Sequence, residues 1–435
     1  MPKDSFIQSY SLRHTILSIL SIFVLAVPLL ASFSQPALMT SSDYLMDFYP
    51  AGKLLLEHRP AEIYNSTANT LFTATSFNRF AHELLPSLPA DKIAVYMYSP
   101  LTALVFCPYS IFSPQVSLIL WQVTSTIAFA LAIFLISSAV GSNFKSSYLI
   151  GLLCLAVFHT ILIGQLGIIL GLLPFALGYY LFSKKQEFFA GFCWSFLLLK
   201  PQFLPVAFLL SLSFAFNKKF RCLLGLISGL ILLTGLGCLI FTPTLFDEWI
   251  SSLKLSDTIF SNPHYSYPVY LITSLPATIL HCFPIAWRNI IKIPAYSMAF
   301  LFSLQALWLS VGIVKKLSFN SNYATALVTI IGIALLPLIL PHFLFYDFSA
   351  FALLVALFNC SIWTQKRQLQ LKVLAWLYLM SIDVYFVCLM SPAKVYLQPG
   401  VLVAIMCFLY YRLTKIIINV TSEMSTEQKL PLKTG

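Results

Sequence analysis

The chain has 435 residues, of which 59% are hydrophobic and only 9% charged, with a formal net charge of +11 and a mean hydropathy of +0.86. A soluble domain carries about 25% charged and about 45–50% apolar residues, so this chain has too little polar surface to cover a water-facing globule. Its bases are scattered between apolar segments instead of forming a patch, which argues against nucleic acid as a partner; in short loops of a membrane protein such residues mark the cytoplasmic side.

In chain order, the first apolar segment, Ile16 to Phe33, is long enough to span about 30 Å of hydrocarbon and reads as a retained first helix. Further runs of spanning or near-spanning length lie at 115–141, 147–163, 167–183, 187–200, 203–217, 220–241, 294–313, 323–341, 345–363, 372–391 and 396–414. With the first run, at 15–34, they predict an all-α, polytopic transmembrane bundle of about twelve helices, within a range of eleven to thirteen. The piece 99–112 is too short to span, is bounded by prolines, and reads as re-entrant or interfacial. Lys3, Arg13, Lys145, Lys184, Lys185, Lys218, Lys219, Arg221, Lys315, Lys316, Lys366, Arg367, Lys372, Arg412 and Lys415 all fall on one face of this topology. The positive-inside rule makes that face cytoplasmic, with both termini inside; a bacterial inner membrane is the expected location, which the charge pattern itself does not give.

Two long loops, 35–114 and 242–293, then face outward; residues 1–421 read as one membrane domain and 422–435 as a polar cytoplasmic tail. Nine cysteines lie mostly within apolar runs and form no CxxC pair, so neither a zinc site nor a disulfide framework is expected. No GxxxxGK[ST] phosphate loop is present, and the cytoplasmic connections leave no room for a nucleotide-binding domain.

The stretch "SSDYLMDFYPAGKLLLEHRPAEIY" at 41–64 concentrates Asp43, Asp47, Glu57 and Glu62, four of the fifteen acids in the chain. Its apolar residues suit an interfacial helix, kinked near Pro50 to Gly52, that rests on the membrane surface. Asp43 and Asp47, one turn apart, would share its polar side.

With the first helix before it, this opening is similar to that of the glycosyltransferase family 87 membrane enzymes. Three further pieces resemble the family in the same order: "YMYSPLTALVFCPYSIF" at 96–112, "ILIGQLGIILGLLPFALGYYLF" followed by "FCWSFLLLKPQFLPVAFLL" at 161–210, and "LPLILPHFLFYDFSAFALLVAL" at 336–357. The resemblance implies a C-type (GT-C) fold and transfer of a mannose-like hexose, with inversion, from a polyprenyl-phosphate donor to a lipid-linked or cell-surface glycan acceptor on the external face. No cofactor is expected; no acid spacing or histidine cluster predicts a metal site, and a need for a divalent cation is left open. The family places its Asp four residues before the Phe-Tyr pair, whereas here Asp43 is five before Phe48 and Asp47 one before. Either acid can inherit the role of base.

That chemistry needs a base for the acceptor hydroxyl and positive charge or donors for the departing phosphate. Asp43 and Asp47 are the candidates for the first task. Lys200 with Gln202, Gln165 and Arg288 are candidates for binding the donor phosphate. Snorkelling to the interface is an equal account of Lys200, and Pro201 after it predicts a helix break. His342 and Tyr346, four apart, could share a face as substrate-binding residues. Asp347 could pair with Lys200, orient the acceptor as a substrate-binding residue, be a second carboxylate near the sugar, or simply be an acid favoured at a helix start. His159, near Gln165, shares no clean face with it. His264, Tyr265, Tyr267 and Tyr270 read as interface anchors. The alternative function is a secondary transporter or lipid flippase working through intramembrane Asp383 and Asp347.

Overall fold

The computed structural model describes residues 15, 18, 19, 22, 26–64, 72–261, 271–317, 321–359, 365–390 and 399–427. Among them the regular structure is helical, with one isolated antiparallel bridge between Ile272 and Leu344. Six helices are long and apolar enough to cross a membrane: Pro114–Val140, Arg221–Ile240, Ala286–Lys316, Asn322–Ile339, Leu369–Leu389 and Pro399–Met424. A seventh crossing segment is broken, its halves Phe144–Leu152 and Leu155–Ile163 meeting at a 70° bend. Shorter apolar helices occupy Gly167–Ser183, Glu187–Leu199, Pro201–Ala215 and Phe345–Phe358. With residues 26–34, also helical, each apolar run expected from the sequence overlaps helix among the described residues.

The short helices have local causes. Glu187–Ser195 ends in a 3-10 turn, Phe196–Leu199, and a second such turn, Pro201–Phe203, opens the next helix, with Lys200 between them in a non-helical conformation. Pro201 has no N–H to donate and its ring excludes a helical preceding residue, so the helix cannot run through. The loop expected at 242–293 holds the helix Pro243–Ser261 and the short helix Leu275–His281, and the helix Ile285–Lys316 begins within it. Arg288 is therefore in the first turn of a long helix. The last helix continues to Glu427, past the expected start of the tail. His264, Tyr265, Tyr267 and Tyr270 lie outside the described residues.

The chain, read from sequence as one domain, packs as two compact units. The first comprises residues 1–130, 157–169 and 231–269; the second comprises 131–156, 170–230 and 270–435. The core of the first unit is aromatic. Tyr44 stacks on Trp121 with centroids 5.3 Å apart, and Phe48 stacks on Phe106 at 5.1 Å. The Tyr44 hydroxyl is 2.7 Å from Ser117 Oγ, and the Tyr49 hydroxyl donates to the Phe112 carbonyl at 3.0 Å. Each fully buried aromatic contributes roughly 1.5–3 kcal/mol, with about 0.5–1.5 kcal/mol more from each well-placed ring pair. Tyr44, Leu45, Phe48, Tyr49, Ala51 and Leu54 are all buried. The first-loop helix is thus a core element of this unit, which corrects the expectation of a helix lying on a surface.

In the second unit, Trp194 stacks on Phe175 at 5.8 Å and donates its indole N–H to the Phe175 carbonyl at 3.0 Å. The Asn322–Ile339 helix is buried along 83% of its apolar stretch, against 39% for Leu369–Leu389, so the former is central to the unit. On the latter, Leu369, Val373, Met380, Val384 and Val387 are exposed, as befits contact with hydrocarbon. The Glu187–Ser195 and Arg221–Ile240 helices touch backbone to backbone: a Cβ at Gly191 would meet the Cys222 carbonyl and one at Gly225 the Phe188 carbonyl. Small residues are what permit such an approach where both helices are apolar all round. Gly225→Ala should lower the thermal midpoint in detergent, by overpacking worth about 1–3 kcal/mol. Gly235→Ala on the same helix, where a Cβ meets nothing within 4 Å, should leave the midpoint unchanged.

Candidate functional site

The acids of the first unit sit on an unusual turn. Tyr44–Phe48 is π-helical and Tyr49–Leu56 is α-helical. The Tyr49 N–H closes the wide turn on the Tyr44 carbonyl, and Pro50 then occupies an opening position of the α-helix, where no donor is needed. π-Turns are rare and recur at functional sites. This one carries Asp43 at its start and Asp47 within it, both half-buried.

Gln165, itself buried, donates its amide Nε2–H to Asp43 Oδ2 at 2.5 Å. Gly164 places it there. Its φ of +72° is a conformation side chains rarely adopt, and a Cβ at 164 would collide with Tyr44 Cβ, next to Asp43. Asp47 Oδ1 accepts the Val95 N–H at 3.0 Å. Burial, and secondarily the neighbouring Asp43, hold the Asp47 carboxyl well above the usual carboxylate range, against the opposing pull of the Val95 N–H. The pair therefore resists carrying two charges. The other two acids of the stretch do something different. Glu57 and Glu62 both bond Arg59, at 3.1 and 2.7 Å, on the protein surface. Exposed ion pairs of that kind contribute about 0–1 kcal/mol each.

In the second unit, Lys200 Nζ lies 3.0 Å from Asp347 Oδ1, with both side chains fully buried. The ammonium also lies over the Tyr346 ring, 4.9 Å from its centroid, and Asp347 Oδ2 accepts the Leu344 N–H at 3.0 Å. The pairing of Lys200 with Asp347, one of the roles expected for that acid, is formed, and both side chains are buried in protein. His342 and Tyr346 do not share a helix face: the 3-10 helix starts only at Phe345, and 341–344 is irregular. That segment is tied by the Thr273 N–H to the Phe343 carbonyl at 2.7 Å and by Ser274 Oγ to the Pro341 carbonyl at 3.1 Å. His342 is half-buried in it. Gln202, on the turn after Lys200, is half-buried, and its Oε1 has no hydrogen-bond partner among the described residues. Arg288 is half-buried as well.

Asp383 has a partner of its own. Its Oδ1 accepts the Leu155 N–H at 2.8 Å, so it caps the second half of the bent segment, whose opening N–H groups have no intrahelical acceptor. His159 is buried within that half. Among the described residues no group of three or more His, Cys, Asp or Glu could hold a metal ion.

The sequence reading missed Val95, Ser117, Trp121 and the conformational role of Gly164. Only the last left a signal, a glycine at the end of an apolar helical run and directly before Gln165.

A carboxyl whose folded-state pKa is raised favours the folded state most below its ordinary value, about 3.9, and progressively less as pH rises to the raised value. The thermal midpoint of the protein should therefore carry a falling component above about pH 4. Asp47→Asn should remove that component while keeping an acceptor for Val95. Gly164→Ala should destabilise by at least about 1–3 kcal/mol, the cost of a side chain at positive φ, read as a drop in the same midpoint.

Residues 96–341 match glycosyltransferase family 87, which is more than half of the 435-residue chain. The match includes Gln165, Lys200, Gln202 and Arg288, ends one residue before His342, and starts after Asp43 and Asp47. No curated protein and no solved structure matches the chain. With its series of membrane-length helices, the chain belongs to glycosyltransferase family 87 and is an integral, multi-pass membrane glycosyltransferase.

Proposed function

We propose that the protein transfers a hexose, mannose by family analogy, from a polyprenyl-phosphate donor to a lipid-linked or cell-surface glycan, with inversion, on the external face of a bacterial inner membrane. Both termini are then cytoplasmic. The observation that carries this reading is the half-buried carboxylate pair on a π-turn, one member of which accepts the amide of Gln165. Asp47 Oδ1 is taken up by the Val95 N–H, whereas Asp43 carries the side-chain amide of Gln165 that orients it, so we assign the base to Asp43.

In the proposed step Asp43 takes the proton of the acceptor hydroxyl. The resulting oxygen forms a bond to the anomeric carbon from the face opposite the phosphate. The bond between that carbon and the phosphate oxygen breaks, and polyprenyl phosphate leaves with the electron pair. Gln165 orients the carboxylate, and Asp47 supports the turn through Val95.

A fully buried Lys200 reaches a phosphate only by giving up Asp347. Within the second unit we therefore assign the binding of a substrate phosphate to Gln202 and Arg288, with His342 as a further substrate contact. The amide of Gln202 and the guanidinium of Arg288 supply the donors a phosphate needs. Asp383, occupied as a helix cap, supplies no support for a transport pathway.

The test is a donor panel in proteoliposomes, with radiolabelled polyprenyl-phosphate hexoses, nucleotide sugars as controls, and envelope lipid extract as acceptor. Label should pass to lipid or glycan from a polyprenyl-phosphate hexose, with mannose preferred, and not from a nucleotide sugar. Transfer from nucleotide sugars alone would overturn the donor assignment.

A further inference from the structure

Two irregular segments of the second unit each carry a polar group assigned above to substrate. Gln202 lies two residues after Lys200, on a 3-10 turn, and His342 lies five residues before Asp347, in the irregular stretch 341–344. Gln202 stands on a single 3-10 turn, and the 341–344 stretch is held to residues 273 and 274 by the Thr273 N–H and Ser274 Oγ, but neither of these ties joins the two segments to each other. Lys200 Nζ and Asp347 Oδ1, 3.0 Å apart, join one to the other. The same carboxylate reaches back to the Leu344 N–H at 3.0 Å, and Tyr346 closes over the ammonium at 4.9 Å.

A buried ion pair is a poor general stabiliser, since desolvation offsets much of the attraction, but losing one partner leaves a buried charge at high cost. Such a pair specifies one arrangement strongly. An incoming phosphate that captured Lys200 would leave Asp347 buried, charged and deprived of its cation, so direct phosphate binding by this lysine is disfavoured.

We infer that Lys200 and Asp347 are positioning residues: a buried latch that fixes the separation of Gln202 and His342 and does not itself touch the donor. This rests on the assignment of Gln202 and His342 to substrate made above.

The test compares Lys200→Met with the double variant Lys200→Met/Asp347→Asn in proteoliposomes, using whichever donor the panel identifies. Methionine fills the lysine's volume, and asparagine keeps an acceptor for Leu344 without a charge. Lys200→Met alone should lower kcat/KM by about 100-fold, as expected for an orphaned buried charge. The double variant should recover at least about tenfold of that loss, with a donor KM within about threefold of wild type. A double variant that melts near wild type yet transfers no better than Lys200→Met, with a raised donor KM, would show that the ammonium binds the phosphate and would overturn the latch. If Lys200→Met does not fold, the donor KM of the double variant decides alone.

A readout independent of transfer is the maleimide labelling rate at position 342 in a His342→Cys background, read by mass spectrometry. It should rise at least about tenfold with Lys200→Met and return toward the starting rate in the double variant; no change with Lys200→Met would overturn the latch. Absence of transfer by the wild type would count against the donor reading, and the labelling rates would still decide the positional claim.

Discussion

A charge taken out of water must be matched where it stands, and in an apolar bundle that requirement organises the polar interior. Four withdrawn carboxylates have a partner in the structure: the Gln165 amide for Asp43, the Val95 N–H for Asp47, Lys200 and the Leu344 N–H for Asp347, and the Leu155 N–H for Asp383. The partners differ in kind, and the difference separates reactive groups from structural ones. A fully buried ion pair and a capped helix end are finished arrangements. A half-buried acid held by a side-chain amide is not buried to the same degree.

The local backbone follows the same economy. Where regular helix stops, a group is freed or redirected: the π-turn before Pro50, the positive φ at Gly164, the break at Lys200–Pro201, the irregular 341–344 segment and the 70° bend after Leu152. Non-helical backbone at membrane depth is tolerated only where it is buried in protein or lines a cavity. Around these breaks lie Asp43, Gln165, Gln202 and His342. The aromatic cores of the two units supply the rigidity that holds them, through the Tyr44–Trp121 stack in the first and the Trp194–Phe175 stack in the second.

The helical class was legible in the sequence because hydropathy over some twenty residues is an additive property that packing does not alter. Each apolar run from 15–34 to 396–414 overlaps described helix. Lengths were unevenly legible. The run 187–200 was read to its end, its helix stopping at Leu199, whereas the expected loop 242–293 holds the helix Pro243–Ser261. The Lys200–Asp347 pairing was foreseeable, as a lone lysine and a lone aspartate in apolar runs both need a partner. The burial of the 41–64 stretch was not. Its mixture of acids and aromatics fits an interfacial helix equally well, and only the packing of Tyr44 and Phe48 on Trp121 and Phe106 decides the matter. Tertiary contacts between residues some seventy positions apart leave no local trace, so which of the two aspartates differs from the other could not be read from their spacing.

The claim on which the rest turns is that the two neighbouring acids are unequal, with Asp43 as the base and Asp47 as a carboxyl taken up by the Val95 N–H. The most direct measurement is the initial rate of sugar transfer by purified Asp43→Asn and Asp47→Asn beside wild type, each shown to be folded. The account predicts a fall of about 10²–10⁴-fold for Asp43→Asn, the usual worth of a general base, and less than about tenfold for Asp47→Asn. The reverse order, with Asp47→Asn inactive and Asp43→Asn near wild type, would contradict it.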